Sequence, residues 1–526
     1  MINSLTLQDR LIIATAIPAI TDEFRSMSDV GWYGGAYLVT SCTFILLYGK
    51  VYTLFSIKRS YMSAIFLFLI GSALCGAARN SHSFIFGRAV AGLGSAGISS
   101  GTQVLIVLTV PPQSLPIYLG FMGAVYGLAS VMGPLVGGAL TTTASWRWCF
   151  WLNLPIGAAA IAAIWFLVDD PINPKATKLN TKEKILQLDL WGNMAFIPGI
   201  ISLILGLQMG GTRYSWNSPV IITLLTMSYV LFIVFTLIQV LRSDTATVAP
   251  RIFKQRSIFF GFLASFFGGA SQMLFIYYLP IWFQGVQNMN ALDSGKRTLP
   301  LVAALVAANI LSGITTNKIG HYLFPMLIGV ICMSIGAGLI TTLELHTRTV
   351  DWMTHQLLYG WGLGCMSPAP VLAARAALPR ADVSIGLALM RFAQNLGGVI
   401  FLPVAGTILT NELATGLAAV RPDLDAAALL QSIGVTTITK LPREEKEVIL
   451  AVYNSSLRSV FYVGLVVTCL TAIGPIGMEW INVKDTERRE QLKQGDNEEE
   501  KQHLTSEHED TGDSTDEEDE EDEQIG

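Results

Sequence analysis

Apolar runs of about twenty residues, separated by short polar breaks, recur along this chain almost from its first residue. A run of that length is what a helix needs to cross the hydrocarbon core of a bilayer. Fourteen are predicted, near residues 1–20, 31–50, 61–79, 83–109, 117–140, 149–168, 189–209, 219–241, 257–283, 298–316, 322–343, 352–377, 384–410 and 457–480. Two polar breaks, 169–188 and 242–256, divide them into six, two and six. The pattern predicts an all-α polytopic membrane protein of 14 transmembrane helices. Its parts are a six-span half over 1–168, a linker with two extra central spans over 169–256, and a second six-span half over 257–483. The second half carries a long outer loop at 411–456, within which Asp423 to Gly434 is expected to form a short surface helix. Only eight residues precede Asp9, and Asn3, Ser4, Thr6 and Gln8 are polar, so the first span is expected to be weakly apolar at its start.

An internal repeat supports the two halves. Gly92 and Gly94 precede Pro111 in the fourth span, and Gly360 and Gly362 precede Pro379 in the twelfth, at the same separation. Related halves of this kind are common in secondary transporters. The stretch Gly127 to Gly157 (GLASVMGPLVGGALTTTASWRWCFWLNLPIG) places Gly133-Pro134 and Gly137-Gly138 inside an apolar run. A membrane helix tolerates the proline because its neighbours re-satisfy the freed carbonyl. The glycines admit a second helix at close range. A kinked, closely packed helix is expected there, and a molecule that moves about it.

Composition agrees: 52% of residues are hydrophobic and 14% charged, where soluble domains carry about a quarter. No cleavable signal sequence is expected, since the first apolar run has neither a basic start nor a small-residue cleavage site. The net charge of −5 combines two opposite parts. Residues 484–526 hold 19 acidic and 5 basic residues, a tail expected to be disordered, with Ser506, Ser514 and Thr515 as candidate phosphorylation sites. The remainder carries +9. With an even number of spans both termini share a side, and loops on that side hold 13 Lys and Arg, Lys50 and Arg251 among them, against 7 in the short loops opposite. The positive-inside rule makes the first side cytoplasmic.

Two enzyme-like strings fail on context. Gly92 to Gly97 matches GxGxxG and Gly97 to Gly101 matches GxSxG, but both motifs need a strand, a turn and a helix, and these lie inside one span. There is no GxxxxGK[ST] and no HExxH, so neither ATP hydrolysis nor metalloprotease chemistry is expected. The six cysteines fall inside spans without paired spacing and read as packing residues, so no metal, cofactor or disulfide is predicted.

Charge inside a bilayer is costly and marks candidate function. Asp9 is the one acidic residue well inside a predicted span, and a carboxylate held in low dielectric can take and release a proton. Arg88, one turn into the fourth span, is its candidate counter-ion. Arg375 and Arg391 read as snorkelling to the cytoplasmic surface. Tyr37, Gln272, Tyr277, Trp361 and Gln394 are candidate cavity residues, an aromatic and amide set suited to amphipathic organic molecules. Asn454 opens the one sequon in the outer loop, a candidate glycosylation acceptor.

In order along the chain, DRLIIATAIPAI (Asp9–Ile20), DVGWYGGAYL, YGKVYTLFSIKRS, GRAVAGLGSAG (Gly87–Gly97), GLASVMGPLVGG, WRWCFWLNLPIG, PRIFKQRSI and YYLPIWFQ resemble motifs of the major facilitator superfamily. More narrowly, the chain resembles the fourteen-span drug:proton antiporters of filamentous fungi, from Asp9 to about residue 480. It departs from them at Leu11, where a threonine is usual, and at Thr53, where an acidic residue is expected. The resemblance implies a transporter, not an enzyme. Gly133, Pro134, Gly137 and Gly138 would govern which side opens, and Asp9 and Arg88 would couple protons. The cargo would be a small hydrophobic or amphipathic toxin, specialised metabolite or drug. Protons and the lipid bilayer are the other expected partners, with no nucleic acid, and the chain is expected to act as a monomer. The plasma membrane is the expected site, with a vacuolar or vesicle membrane as the alternative. An uptake carrier of the same fold, such as one for iron–siderophore complexes, is the second reading. A non-transporting receptor or scaffold acting through its tail is the third.

Overall fold

The structure is a computed structural model that describes residues 2–26, 29–111, 114–169, 180–211, 214–243, 245–289, 291–420 and 443–482. Among the described residues, twelve helices are long and apolar enough to cross a membrane. They are α2 (Val30–Leu54), α3 (Ile57–Gly76), α4 (Ser81–Thr109), α6 (Trp148–Leu167), α7 (Leu190–Met209), α8 (Pro219–Leu241), α9 (Arg256–Gly285), α10 (Leu299–Ile319), α11 (Leu323–Ile340), α12 (Thr349–Ala377), α13 (Val383–Val420) and α14 (Arg443–Leu470). Two further long helices are α1 (Ile2–Phe24) and α5 (Leu115–Thr143), the latter apolar over Leu115–Ala129.

Local chemistry sets several helix starts. Ser56 accepts a hydrogen bond from the Arg59 amide at the head of α3, and Asn80 accepts one from Ser83 at the head of α4. Each satisfies an amide that the first helical turn leaves unpaired. Proline occupies the first turn of α5, α8 and α10, where no amide proton is needed. The outer surface is apolar, as lipid contact requires: Phe166 and Leu167 are each 82% exposed and Leu241 81%.

The helix contacts repeat with a shift of eight. α1 packs on α5 as α9 packs on α13, α2 on α4 as α10 on α12, α3 on α4 as α11 on α12, and α3 on α6 as α11 on α14. The repeated glycines follow the same rule. A Cβ on Gly92 would collide with Tyr37 and Thr40 of α2, and one on Gly94 with Phe68 of α3. Gly360 is closed in the same way by Leu301 of α10, and Gly362 by Met333 of α11. Small residues at these points let the helices approach backbone to backbone.

The sets α1–α6 and α9–α14 meet along two seams, α2 on α13 and α5 on α10. The close approach lies toward one end of the bundle, which also carries the α2–α3 loop and is called here the basic end. There Gly49 abuts Ser384 and Ala388, Gly120 the carbonyl of Asn309, and Gly313 the carbonyl of Pro116. α7 and α8 pack on each other, and α7 also touches α2 and α13. α8 is peripheral and buries only Ile221, Ser228 and Gln239.

Two expectations change. The outer loop is shorter than 411–456, because α13 continues to Val420 and α14 begins at Arg443. The expected surface helix at Asp423 to Gly434 lies outside the described residues, as does the tail beyond residue 482. Asn454 is not a surface acceptor. It is buried within α14, where Trp282 Nε1 donates to its Oδ1 (2.7 Å) and its Nδ2 donates to the Leu343 carbonyl (3.1 Å).

Candidate functional site

Asp9 of α1 and Arg88 of α4 meet in the interior of the first set of helices. Both residues are 1% exposed, and the guanidinium donates to Asp9 Oδ2 at 2.5 Å. A third side chain, which sequence reasoning did not single out, completes the carboxylate: Asn153 Nδ2, from the first turns of α6, donates to Asp9 Oδ1 (3.0 Å) and to Ser72 Oγ of α3 (3.1 Å). Arg88 Nε donates to the Tyr33 carbonyl (2.9 Å). Its guanidinium lies 4.3 Å from the ring centre of Tyr37 and 5.9 Å from that of Phe150. Two aromatic faces and a carbonyl therefore hold the cation on the sides the carboxylate leaves open, and a desolvated cation–π contact contributes up to about 2 kcal/mol. The Tyr37 hydroxyl lies 2.9 Å from the Thr6 carbonyl and 2.7 Å from Ser95 Oγ. Five helices, α1 to α4 and α6, are thus joined around one ion pair. Removing either partner of such a pair leaves a buried charge with nothing to balance it, which costs roughly 3–5 kcal/mol.

Toward the end of α1 the same set is clamped a second time. Arg147 makes a bidentate pair with Glu23 (2.7 and 2.8 Å) and donates to the Ala78 carbonyl (2.9 Å), while Trp146 Nε1 also donates to Glu23 (2.8 Å). Phe24, Phe84, Trp146 and Phe150 stack edge to face behind it.

At the basic end a second buried carboxylate, Asp189, fastens the α7/α8 pair. Its Oδ2 accepts from Gln239 Nε2 (2.6 Å), the Thr247 amide (2.9 Å) and Thr247 Oγ1 (2.8 Å). Lys50 is counted among the loop cations from sequence, but it is buried and donates to the carbonyls of Gln187 (3.1 Å) and Thr245 (2.8 Å). It thereby ties the segments flanking α7 and α8 to α2. Arg251, in the short helix Pro250–Phe253, pairs with Asp382 at the head of α13 (2.6 and 2.9 Å), which pushes the guanidinium up from its ordinary pKa.

The predicted cavity residues separate. Tyr37 belongs to the Asp9–Arg88 node. Gln394 lines a cavity of about 40 Å³ between α9, α12, α13 and α4, and its Nε2 donates to Gln272 Oε1 (3.2 Å). Tyr277 is 51% exposed and Trp361 half-buried, and neither is among the residues that line this cavity. Arg391, expected to snorkel, lines this cavity.

Of the α5 glycines, Gly133 and Gly137 are buried in a helix that runs unbroken from Leu115 to Thr143, and a Cβ on Gly138 would meet nothing within 4 Å. Gly120 and Gly123, about three to four turns before Gly133, pack closely against Asn309.

The sequence profile of the Major Facilitator Superfamily matches residues 1–402. The chain belongs to that family of membrane transporters. It is 45% identical over 476 residues to an MFS-type transporter of Claviceps purpurea, covering 90% of this chain and 82% of that one. It is 44% identical over 479 residues to the rubrofusarin-specific efflux pump aurT of Gibberella zeae, covering 91% and 88%. Among solved structures, the proton:xylose symporter XylE aligns with a TM-score of 0.56 at 14% identity, over 92% of this chain and 96% of that one. This last likeness concerns the fold alone.

Proposed function

We propose that the chain is a fourteen-span, proton-coupled antiporter that exports small hydrophobic or amphipathic organic compounds by alternating access. In this reading α1 and α5 also span the membrane. Residues 1–168 and 257–483 form two halves that rock about the α2/α13 and α5/α10 seams, and 169–256 carry the inserted pair α7/α8. The basic end and both termini face the cytoplasm, the membrane is the plasma membrane, and the working unit is a monomer.

The buried Asp9–Arg88–Asn153 node carries the proposal. A proton on Asp9 cancels the charge facing Arg88 and leaves the guanidinium to the Tyr33 carbonyl and the ring of Tyr37. The packing of α1 against α4 and α6 then loses its strongest link. α5 lies along α1, so its Gly133, Pro134, Gly137 and Gly138 are suited to take up the change as a hinge. A buried pair that can be neutralised supplies the two-state element that coupling requires. One charge moving through 100 mV provides about 2.3 kcal/mol, enough for roughly a fifty-fold gradient of a neutral cargo. The relatives named as efflux pumps support export over uptake.

The test is transport by the purified full chain in proteoliposomes under an imposed pH gradient, with a panel of aromatic metabolites that includes rubrofusarin. Wild type should move cargo against the proton flow. Asp9→Asn should retain exchange without a gradient and lose the gradient's effect. Undiminished gradient-driven movement in Asp9→Asn would remove Asp9 from the mechanism.

A further inference from the structure

The cavity between α4, α9, α12 and α13 is lined by five polar side chains, and four of them are already engaged. Arg391 donates to Gln394 Oε1 (2.7 Å) and makes further interactions. Gln394 Nε2 donates to Gln272 Oε1 (3.2 Å), so both ends of that amide are used. Ser367 donates to the Leu363 carbonyl (2.6 Å), and the Ser265 hydroxyl points to the Met390 thioether (3.8 Å). The fifth is Gln103 of α4. Its Oε1 is buried and has no hydrogen-bond partner among the described residues.

Buried side-chain oxygens rarely stay without a partner in folded proteins. What Gln103 Oε1 lacks is a donor, and the rest of the wall restricts which kind. No Asp or Glu is among the described lining residues, while Arg391 places a positive charge there. An ammonium would meet that charge with no anion to balance it, so the donor must be neutral. At about 40 Å³ the cavity holds roughly three waters, room for a hydroxyl and the edge of the ring that bears it, not for a whole cargo. The terminal torsion of a glutamine is broad, so its oxygen can turn to meet what enters. We infer that this cavity selects cargo by a neutral hydroxyl, phenolic or alcoholic, on an apolar scaffold, with Gln103 Oε1 as the acceptor. Gln103 stands on the first half and the other lining residues on the second, so a bound hydroxyl reaches from one half to the other. Gln103 thereby sets specificity: removing or capping the hydroxyl leaves its oxygen unpaired, and a site built around such a bond rejects the analogue that lacks it.

This inference rests on the transport reading in taking the cavity to lie on the cargo's path, and it narrows that cargo to hydroxyl-bearing molecules. Its test uses no gradient, so failure of proton-driven export and failure of hydroxyl recognition are separate results. Three probes serve: 6-hydroxyflavone, 6-methoxyflavone, which keeps the oxygen and loses the donor, and flavone, which is smaller than either. Equilibrium dialysis at pH 6 against the full chain in phosphatidylcholine nanodiscs, with empty nanodiscs as the blank, gives the affinities. Wild type should bind hydroxyflavone about tenfold more tightly than the other two. Gln103→Met removes the acceptor at nearly the same length and should abolish that preference by weakening hydroxyflavone alone. Unchanged flavone binding shows that the variant is folded. If Gln103→Met loses all three probes, Gln103→Glu, which keeps an acceptor in place, decides: a hydroxyl preference at least as large as in wild type supports the assignment, and its absence overturns it. Equal affinities of hydroxyflavone and flavone in wild type would mean that the cavity holds water only, and a preference that survives Gln103→Met would place the acceptor elsewhere; either overturns the inference. Repetition in nanodiscs that contain cholesterol separates cargo from lipid. If the sterol abolishes the hydroxyl preference of wild type, the site belongs to a membrane sterol and the cargo assignment fails; an undiminished preference supports it.

Discussion

In the first half α1, α4 and α6 meet at a carboxylate, a guanidinium and an amide: Asp9, Arg88 and Asn153. In the second half the helices that correspond to them by the shift of eight, α9, α12 and α14, meet at three hydroxyls. Ser271 Oγ lies 2.8 Å from the Tyr359 hydroxyl and 2.6 Å from Thr468 Oγ1, and all three residues are fully buried. The geometry is shared and the chemistry is not. A hydroxyl cluster joins its helices equally well at any physiological pH. An ion pair does so only while its carboxylate is charged. The repeat spacing sharpens the contrast, since the position in α12 that matches Arg88 is Gln356, whose amide is buried with both polar atoms unpartnered among the described residues. Under the proposed coupling, one half responds to a proton and the other holds its shape.

The largest effect expected from breaking this contrast is at Asp9. Asp9→Asn strands the Arg88 charge and should cost roughly 3–5 kcal/mol in equilibrium unfolding in mixed micelles. The double variant Asp9→Asn with Arg88→Gln removes both charges and should recover most of that loss. A double variant no more stable than the single one would mean the pair is not the strong link. Asn153→Ala removes a hydrogen bond to a charged oxygen and should cost about 1.5–3 kcal/mol in the same measurement. In the second half, Thr468→Val should cost only about 1 kcal/mol. It should also leave the pH profile of transport unmoved, and a shifted profile would break the division between the halves. The smallest change is expected at Gln356→Leu. Replacing an unpartnered buried amide by an apolar side chain of similar size is near neutral or stabilising, so a loss above about 1 kcal/mol would show that Gln356 has a polar role.

Much of this was legible in the sequence because the bilayer makes its signals coarse. A helix-length apolar run announces a span wherever its partners lie, and α2, α3 and α4 form within a few residues of where the pattern puts them. Asp9 and Arg88 stood out because a charge in an apolar run is rare. Other residues were hidden for specific reasons. Asn153 sits in a run of aromatic and aliphatic residues, and nothing local tells an amide that binds a carboxylate from one that faces lipid. Asp189 opens the predicted span 189–209, and nothing local shows that the 245–249 segment folds back over it. The sequon at Asn454 is a local string, and only the long-range contacts with Trp282 and Leu343 reveal that its side chain is sealed. Tyr277 and Tyr278 are adjacent, yet the first is half exposed and the second buried, and composition alone cannot choose between them. Arg391 was judged by its distance from a span end, when the face of α13 it occupies decides its surroundings.

The central claim is that the charged node, and not its hydroxyl counterpart, exchanges a proton during transport. Proton movement can be read with a pH-sensitive dye sealed inside proteoliposomes of the full chain, by adding cargo without any imposed gradient. Wild type and Ser271→Ala should both give a cargo-dependent proton flux of opposite direction to the cargo, and Asp9→Asn should give none while still exchanging cargo. A cargo-dependent flux that persists in Asp9→Asn, or that vanishes in Ser271→Ala while cargo exchange continues, would contradict the account.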